Sequence, residues 1–362
     1  MSLTQMQYWF WLCSIEGCGP ASLFPLLARL GSPQALFCAS REEVLAAKVL
    51  KTKQAESFFR SRDEERVKRA YDHMQKLDIR LIPCGSAAWP HCLDDLYDRP
   101  LGLFVKGSVP YDEEWRIAMV GARHCGAYGL EVTHMIARGL AVYGTSVVSG
   151  LARGADSASH RGCLDGGGTT YAVLGCGPDI CYPADNISLY QDILDSGGGI
   201  LSEYPPGTRP AAWRFPMRNR IIAAVSRAVV VTQAQRKSGS LITAERGLEL
   251  GREIFAVPGR IDDPLSEGCN DLIRSGAGLA AGPADILNEF GIAVHAQDRD
   301  RDLHLSGVLS AVYHAVTLVP CCADDICAGT GISPAGAAGA LVELERRGLI
   351  FSIGKGQYIL RK

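Results

Sequence analysis

Apolar residues follow helical spacing in the first part of the chain. Up to residue 77 they recur every three or four positions, with breaks at GCGP (17–20) and GSP (31–33). Glycine ends a helix in a left-handed turn, and proline favours the first position of the next helix. Residues 1–77 are therefore predicted to form a small all-helical module, whose last helix (62–77) is dense in mixed charge and solvated. GCGP is equally consistent with a phosphate-binding helix-hairpin-helix turn and with a plain turn between packed helices.

Between residues 78 and 290 the pattern changes to short, nearly continuous apolar runs that alternate with helical stretches. The runs are IAMVG (117–121), SVVSG (146–150), TTYAVLG (169–175), GGILSE (198–203), AVVVTQ (228–233) and EIFAVPG (253–259). Parallel strands that are covered on both faces have this composition. The alternation predicts an α/β fold with a doubly wound parallel sheet, which binds ligands beyond the carboxyl ends of its strands.

The last part of the chain returns to helical spacing. Residues 291–304, which include AQDRDRD, are predicted to be a linker. Residues 305–362 have a helix-turn-helix pattern, with Ser333 as the cap and Pro334 opening the second helix, followed by two short strands. This order is typical of a winged helix. The second helix is rich in alanine, so protein contact is at least as good an interpretation as DNA reading.

Charge changes the picture locally and not globally. The net charge of −2 gives no case for binding nucleic acid or an acidic membrane surface. Residues 213–245, however, contain six basic residues and no acid before Glu245. These are Arg214, Arg218, Arg220, Arg227, Arg236 and Lys237. This segment suits a polyanion.

Other features bear on the compartment. The first basic residue is Arg29, so no secretory leader is expected, and no apolar run has the roughly 20 residues of a membrane span. The 13 cysteines include no CxxC pair and no histidine–cysteine cluster with zinc spacing. We expect a cytoplasmic protein with reduced thiols and no bound metal.

Every predicted strand of the middle segment ends in a turn that contains glycine, such as VGARHCGAYG, SGLARGAD, LGCGPD and SGS. Glycine permits positive φ and close approach of a ligand, and turns that open a helix offer N–H groups to anions. Several such turns at one sheet edge predict a phosphate-binding crevice. The alternative is a tightly turned sheet without a ligand. Arg123, two residues after Gly121, could hold phosphate with its two-donor fork or form an ordinary surface salt bridge.

The segment FPMRNR predicts a helix that opens at Pro216, with Arg218 and Asn219 in its first turn and Arg220 nearby. Basic residues at a helix start oppose the macrodipole, so their presence favours an anion placed between them and the helix. Phe215 offers a face for stacking a base, or else a core contact.

The segment KSGS follows a predicted strand and opens a helix. Lys237 and the hydroxyls of Ser238, Ser240 and Thr243 are candidate anion donors, together with the backbone at Gly239. The chain has no GxxxxGK[ST] motif, which disfavours a P-loop motor. His160 lies near Asp156 and Asp165 in sequence, yet no catalytic constellation can be assembled from spacing.

Seven motifs in this order resemble the DNA-processing protein A family, also called DprA or Smf. They are SGLARGADSASHRG, AVLGCGPDICYPADN, ILSEYPPG, FPMRNRIIAAVS, KSGSLITAE, GREIFAVPG and GCNDLIRSGA. The match covers residues 78–286, and the helical module and winged helix fit the family's three-part plan.

The resemblance implies a Rossmann-like core that binds single-stranded DNA without sequence choice. It also implies a homodimer that loads the RecA recombinase onto incoming strands during natural transformation, without catalysis or a cofactor. The DNA contacts that it implies are Gly121, Arg123, Phe215, Arg218, Asn219 and Arg220, with Lys237, Ser238, Gly239 and Ser240 as further candidates. Ala122 departs from the family's usual Ser or Thr, which removes one hydroxyl donor.

Two other functions are compatible with the sequence. One is a Rossmann-like nucleotide or phosphoribosyl hydrolase, a class that uses a PGGxGTxxE loop. Here the corresponding KSGSLITAE lacks the paired glycines, and Glu245 is the only acid in place. The other is a scaffold whose winged helix binds a protein.

Overall fold

The computed structural model describes residues 3–292, 305, 307–317, 320–354 and 356–360. The chain divides into two compact units, Met1–Gly291 and Ile292–Lys362. Residues 293–304 of the predicted linker lie outside the described residues. Within the described stretches, no helix combines the length and apolar character needed to cross a membrane.

A nine-stranded sheet forms the centre of the first unit. Its strands are β1 (Ile79–Pro83), β2 (Gly102–Gly107), β3 (Arg116–Val120), β4 (Ser146–Ser149), β5 (Thr170–Leu174), β6 (Gly199–Ser202), β7 (Ala228–Val231), β8 (Glu253–Ala256) and β9 (Gly278–Leu279). The spatial order is β1-β2-β6-β5-β4-β3-β7-β8-β9. In this spatial order, each pair of neighbouring strands from β6 through β3 to β9 is parallel. The pairs β1–β2 and β2–β6 are antiparallel, so β1 and β2 form an antiparallel edge.

The six predicted strands are confirmed as β3 to β8. The strands β1, β2 and β9 were not predicted. The apolar stretches of β1 and β2 are only a few residues long, and periodicity does not separate such short runs from pieces of a buried helix. The pairing of β9 covers just two residues, Gly278 and Leu279.

Helices cover both faces of the sheet, as a doubly wound arrangement requires. The helices that follow the strands are α7 (Ala127–Val142), α8 (Ala155–Asp165), α9 (Ile187–Asp195), α10 (Arg214–Ala224), α11 (Gly239–Glu249), α12 (Glu267–Arg274) and α13 (Pro283–Glu289). Alternate residues of β5 belong to different cores. Tyr171 and Val173 pack in the same core as α10, while Ala172 and Leu174 pack in the same core as α9. The α/β fold class is therefore confirmed.

The connections reverse direction at β3. The chain moves outward from β3 through β4, β5 and β6, and then α10 returns it to β7 on the other side of β3. A reversal of this kind leaves a crevice at the carboxyl ends of the two strands beside it, here β3 and β7.

Six helices precede the sheet. They are α1 (Gln5–Cys13), α2 (Pro20–Leu30), α3 (Pro33–Cys38), α4 (Arg41–Ala46), α5 (Thr52–Arg60) and α6 (Glu64–Lys76). Gly17, with φ of 78°, turns the chain between α1 and α2. The last of these helices ends at Lys76, but their core continues into the sheet. Phe10 meets Phe104 of β2 edge to face at 6.0 Å, and Ile79 and Leu81 of β1 join the same cluster.

The second unit has its own small core. It contains α14 (Val308–Ala315), α15 (Ala323–Thr330) and α16 (Pro334–Arg346), with strands β10 (Cys321–Cys322), β11 (Ile350–Gly354) and β12 (Gln357–Leu360) in the order β10-β12-β11. Val312, Ile326 and Leu344 are buried together. The predicted start of α16 is confirmed, since the Ser333 hydroxyl accepts the N–H of Gly336 and Pro334 is the first helical residue.

Candidate functional site

A cleft of about 700 Å³ opens at the carboxyl ends of β3 and β7. Its walls are the turn after β3, the loop after β5, the first turns of α10 and the start of α11. Eight of the ten predicted site residues line it: Gly121, Arg123, Phe215, Arg218, Asn219, Ser238, Gly239 and Ser240. The remaining two, Arg220 and Lys237, do not. Segments that are far apart in sequence thus meet at the topological switch point of the sheet.

The Arg123 guanidinium is exposed and lies over the Phe215 ring, with 5.2 Å between its central carbon and the ring centre. Tyr182 stacks on Phe215 at 5.5 Å with 26° between the ring planes. Within the described part of the chain, Arg123 has no hydrogen bond or ion pair. The cleft therefore combines a cation that has no ion pair in the described chain with the aromatic rings of Phe215 and Tyr182.

Arg218 has a different position from the one predicted. Its guanidinium is buried and donates to the carbonyl oxygens of Gly150, at 2.8 Å, and of Val173. The carboxylate of Asp156 lies in the same buried region and accepts the Gly150 N–H at 3.1 Å. Burial lowers the pKa of Arg218 and raises the pKa of Asp156, although each partly offsets the shift of the other. Arg218 thus forms the floor of the cleft and is not a free phosphate ligand.

Arg220 does not reach the cleft, which corrects the expectation that it contacts DNA. Its side chain is buried and donates to both carboxylate oxygens of Glu203 at 2.8 Å, with Asp98 at 3.1 Å. Burial raises the pKa of Glu203 against the opposing effect of Arg220. This ion pair connects α10 to the end of β6.

The start of α11 forms the opposite wall. Ser238 caps the helix, and its hydroxyl oxygen lies 2.8 Å from that of Ser240. Asn219 donates to the Gly239 carbonyl oxygen at 3.3 Å and accepts from Arg218 at 3.2 Å, so it connects α10 to α11. Lys237 is exposed just outside the cleft and has no ion pair among the described residues. A helix start carries partial positive charge, which favours an anion here.

The other basic residues of segment 213–245 are engaged elsewhere. Arg236 pairs with Asp271 at 3.1 Å and with Glu267 at 3.6 Å. Arg227 lies 4.3 Å from the centre of the Trp115 ring. Acids from other segments therefore neutralise some of the basic residues of segment 213–245, which has no acidic residue before Glu245. Of the basic residues predicted for the site, Arg123 and Lys237 are the ones that remain exposed without an ion pair in the described chain.

Gly121 allows close packing and does not adopt an unusual backbone angle. A Cβ atom at this position would lie 2.6 Å from the Cβ of Ala155 and 2.9 Å from the Thr232 hydroxyl oxygen. Its φ lies outside the left-handed region, whereas Gly154 in the turn after β4 has φ of 77°. The absent side chain brings the turn after β3 against the start of α8.

The residues considered for catalysis do not converge on the cleft. His160 is fully buried, and its Nδ1 lies 2.7 Å from the Thr170 hydroxyl oxygen. Burial, with a smaller effect of Arg218, lowers the pKa of His160 to about 3. Glu245 is exposed on α11 and is not among the residues that line the cleft. Among the described residues, no three His, Cys, Asp or Glu side chains gather as metal ligands.

Tyr182 is a cleft residue that sequence reasoning missed. It follows β5 in a glycine-rich loop and directly precedes Pro183, and its side chain is 46% exposed. An aromatic residue beside proline in a loop at the carboxyl end of a strand is a signal that could have identified it.

The fold and the cleft define a Rossmann-like α/β protein whose switch-point cleft carries an exposed arginine beside aromatic rings. The family described as "DNA recombination-mediator protein A" matches residues 80–291. The chain is 45% identical over 202 residues to the DNA processing protein DprA of Streptococcus pneumoniae. This match covers 56% of this chain and 71% of that protein. The chain therefore belongs to the DNA recombination-mediator protein A (DprA/Smf) family, and the resemblance of its motifs is confirmed.

Two solved structures are similar as well. The X-ray structure of S. pneumoniae DprA has a TM-score of 0.69 and 32% identity, and the similarity covers 82% of this chain and all (100%) of that one. A DNA processing protein A from Helicobacter pylori has a TM-score of 0.54 and 30% identity, over 60% of this chain and 97% of that one. That Helicobacter structure is described as giving insight into a single-stranded DNA binding mode.

Proposed function

We propose that the cleft binds single-stranded DNA without sequence preference. The observation that carries this proposal is the exposed, unpaired guanidinium of Arg123 over the ring of Phe215. A single strand offers phosphates and unstacked bases, and it is bound by cations that follow the backbone together with aromatic faces that accept any base. A net charge of −2 is compatible with this activity because the attraction is local.

The predicted site residues divide into groups under this proposal. Arg123 and Lys237 attract phosphate, and Phe215 with Tyr182 stacks a base. The N–H groups at the start of α11 and the side chain of Asn219 complete the polar wall. The residues proposed to contact the strand are Gly121, Arg123, Phe215, Asn219, Lys237, Ser238, Gly239 and Ser240. Arg218 acts by positioning the others.

The family supplies the wider role. We propose that the protein is a non-catalytic recombination mediator that acts as a homodimer and loads the RecA recombinase onto incoming strands in natural transformation. The relatives named for DNA processing and for single-stranded DNA binding support this proposal. All 13 cysteines are unpaired, which supports a reducing, cytoplasmic location.

We also propose that residues 305–362 form a winged helix. The order of helices and strands in this unit supports the assignment. Its exposed hairpin residues Phe351 and Ile353 suit a protein contact at least as well as a DNA contact. Deletion of residues 305–362 should leave DNA binding by the first unit unchanged.

The proposal is tested by titrating the protein with fluorescent oligo(dT) and measuring anisotropy from about 50 to 300 mM salt. The logarithm of affinity should fall linearly with the logarithm of salt, by about 0.7 per phosphate neutralised. An unlabelled duplex should compete poorly. Absent or salt-independent binding would overturn the proposal. Release of base from nucleoside monophosphates would favour the hydrolase alternative.

A further inference from the structure

A second group of aromatic and basic side chains lies beside the cleft. Trp213 immediately precedes α10, and its side chain is 61% exposed. Tyr204 meets the Trp213 ring edge to face at 6.3 Å. The guanidinium of Arg214 lies 4.9 Å from the centres of both rings. These contacts fix the Trp213 ring and leave more than half of its surface open.

The charge around this group is positive. Arg214 donates to the carbonyl oxygen of Arg209, which holds the loop against the helix start. The side chain of Arg209 is itself exposed and has no ion pair within the described part of the chain. An exposed tryptophan in contact with the Arg214 guanidinium, with the exposed Arg209 four residues earlier in the chain, offers stacking and phosphate attraction together.

The group is continuous with the cleft. Pro210, Ala211, Ala212 and Phe215 line the cleft, and Trp213 lies between Ala212 and Phe215 in sequence. A strand whose base stacks on Phe215 would therefore leave the cleft past Trp213. Its next phosphate would meet the positive charge of Arg209 and Arg214.

We propose that Trp213 is a second stacking subsite, which takes the base of a nucleotide next to the one held at Phe215, while Arg209 contacts the phosphate between them. This proposal rests on the proposed function and adds a residue that extends the bound strand beyond the cleft. A single strand is the occupant, because the ring continues the path of the cleft and its neighbours are cationic.

An abasic walk tests the subsite. One abasic position is moved along a fluorescent dT oligonucleotide that is only as long as the bound segment, so that the strand cannot shift its register. The affinity of each oligonucleotide is measured for the wild type and for Trp213→Ala. Removal of the ring should weaken binding of the intact strand by about tenfold, within the usual range for aromatic stacking on a base. At one abasic position the variant and the wild type should bind equally, because the base that the ring stacks is already absent.

Matched variants control the experiment. The Trp213 side chain is largely exposed and makes no capping hydrogen bond, so the loss of its contacts with Tyr204 and Arg214 should lower the melting temperature by only a few degrees. Trp213→Tyr should recover most of the affinity. Tyr111→Ala removes another exposed ring, beside Arg116 at the start of β3 and thus at the end of the sheet opposite to the cleft, and should have no effect.

The outcomes separate the two proposals. Normal affinity of Trp213→Ala on all oligonucleotides, with weakened binding by Phe215→Ala, would overturn the subsite and leave the proposed function intact. A uniform loss for Trp213→Ala at every abasic position would also overturn it, since the ring would then act on no particular base. No binding by the wild type would overturn the proposed function itself.

Discussion

Arg123 and Phe215 meet at the switch point of the sheet, where the guanidinium of one lies 5.2 Å from the ring centre of the other. Arg123 comes from the turn after β3 and Phe215 from the first turn of α10. The contact exists because α10 carries the chain back across β3. The sheet topology thus places a cation and an aromatic face, which a single strand needs together, at one site.

Arg123→Ala should weaken oligo(dT) binding by about ten- to a hundredfold, the range expected when a charged hydrogen bond is removed. Its salt slope should fall by about 0.7 for each phosphate that the variant no longer neutralises. The decrease in affinity should be similar for all sequences, since phosphate carries no base identity. Anisotropy titrations at several salt concentrations measure both effects.

The control for this variant is Arg246→Ala. Arg246 lies in the last turn of α11, at the opposite end from the cleft, and pairs with Glu249 at 2.7 Å. Its removal should change neither affinity nor slope. An equal decrease in both variants would mean that general positive charge, and not the cleft, attracts the strand.

Arg218→Ala and Arg220→Ala should both lower the free energy of unfolding, by about 3 kcal/mol each, because each leaves buried partners unpaired. They should differ in binding at temperatures where both are folded. Arg218→Ala removes the floor of the cleft and should weaken DNA binding. Arg220→Ala breaks a pair with Glu203 outside the cleft and should leave affinity near that of the wild type. Urea unfolding and anisotropy separate the two effects, and a specific binding defect in Arg220→Ala would contradict this assignment.

The sequence was sufficient for much of the fold because buried parallel strands leave long apolar runs between glycine turns. It also predicted a crevice at the carboxyl ends of the strands, where the structure has the cleft. It could not assign the arginines. Arg218 and Arg220 are two positions apart, and the sequence does not distinguish their roles. Arg218 donates to carbonyl oxygens at the ends of β4 and β5, which are far from it in sequence, whereas Arg220 pairs with Glu203. These partners come from other segments, and only the tertiary fold brings them together.

Gly150→Ala and Gly239→Ala should have different consequences. A Cβ atom at Gly150 would lie 2.3 Å from a guanidinium nitrogen of Arg218, so this variant should displace Arg218 and lower both stability and affinity. A Cβ atom at Gly239 has no neighbour within 4 Å, so stability should be kept.

Binding by Gly239→Ala then reports on the ligand. If the strand approaches the start of α11 closely, affinity should fall although the melting temperature does not. Unchanged affinity would remove the start of α11 from the proposed contact surface. Thermal melting and anisotropy on the same preparations give both quantities.

His160 should make the stability of the protein depend on pH below neutrality. Its pKa is lowered by burial to about 3 in the fold, whereas an unfolded histidine titrates near pH 6.5. The unfolded state therefore binds the extra proton first, and stability is lost as pH falls below about 6.5. The linkage relation gives a loss of about 2 kcal/mol between neutral pH and pH 5.

The variant His160→Asn isolates this effect, because an amide can still donate to the Thr170 hydroxyl but does not titrate. The buried carboxyls of Asp156 and Glu203 act in the opposite direction, since their raised pKa values favour the protonated fold at low pH. They remain in both proteins, so the difference between the two urea-unfolding profiles reports on His160. That difference should change by about 2 kcal/mol from pH 7 to pH 5, with the wild type losing stability relative to the variant. Parallel profiles would contradict the lowered pKa of His160, since the imidazole would then titrate alike in the folded and unfolded protein.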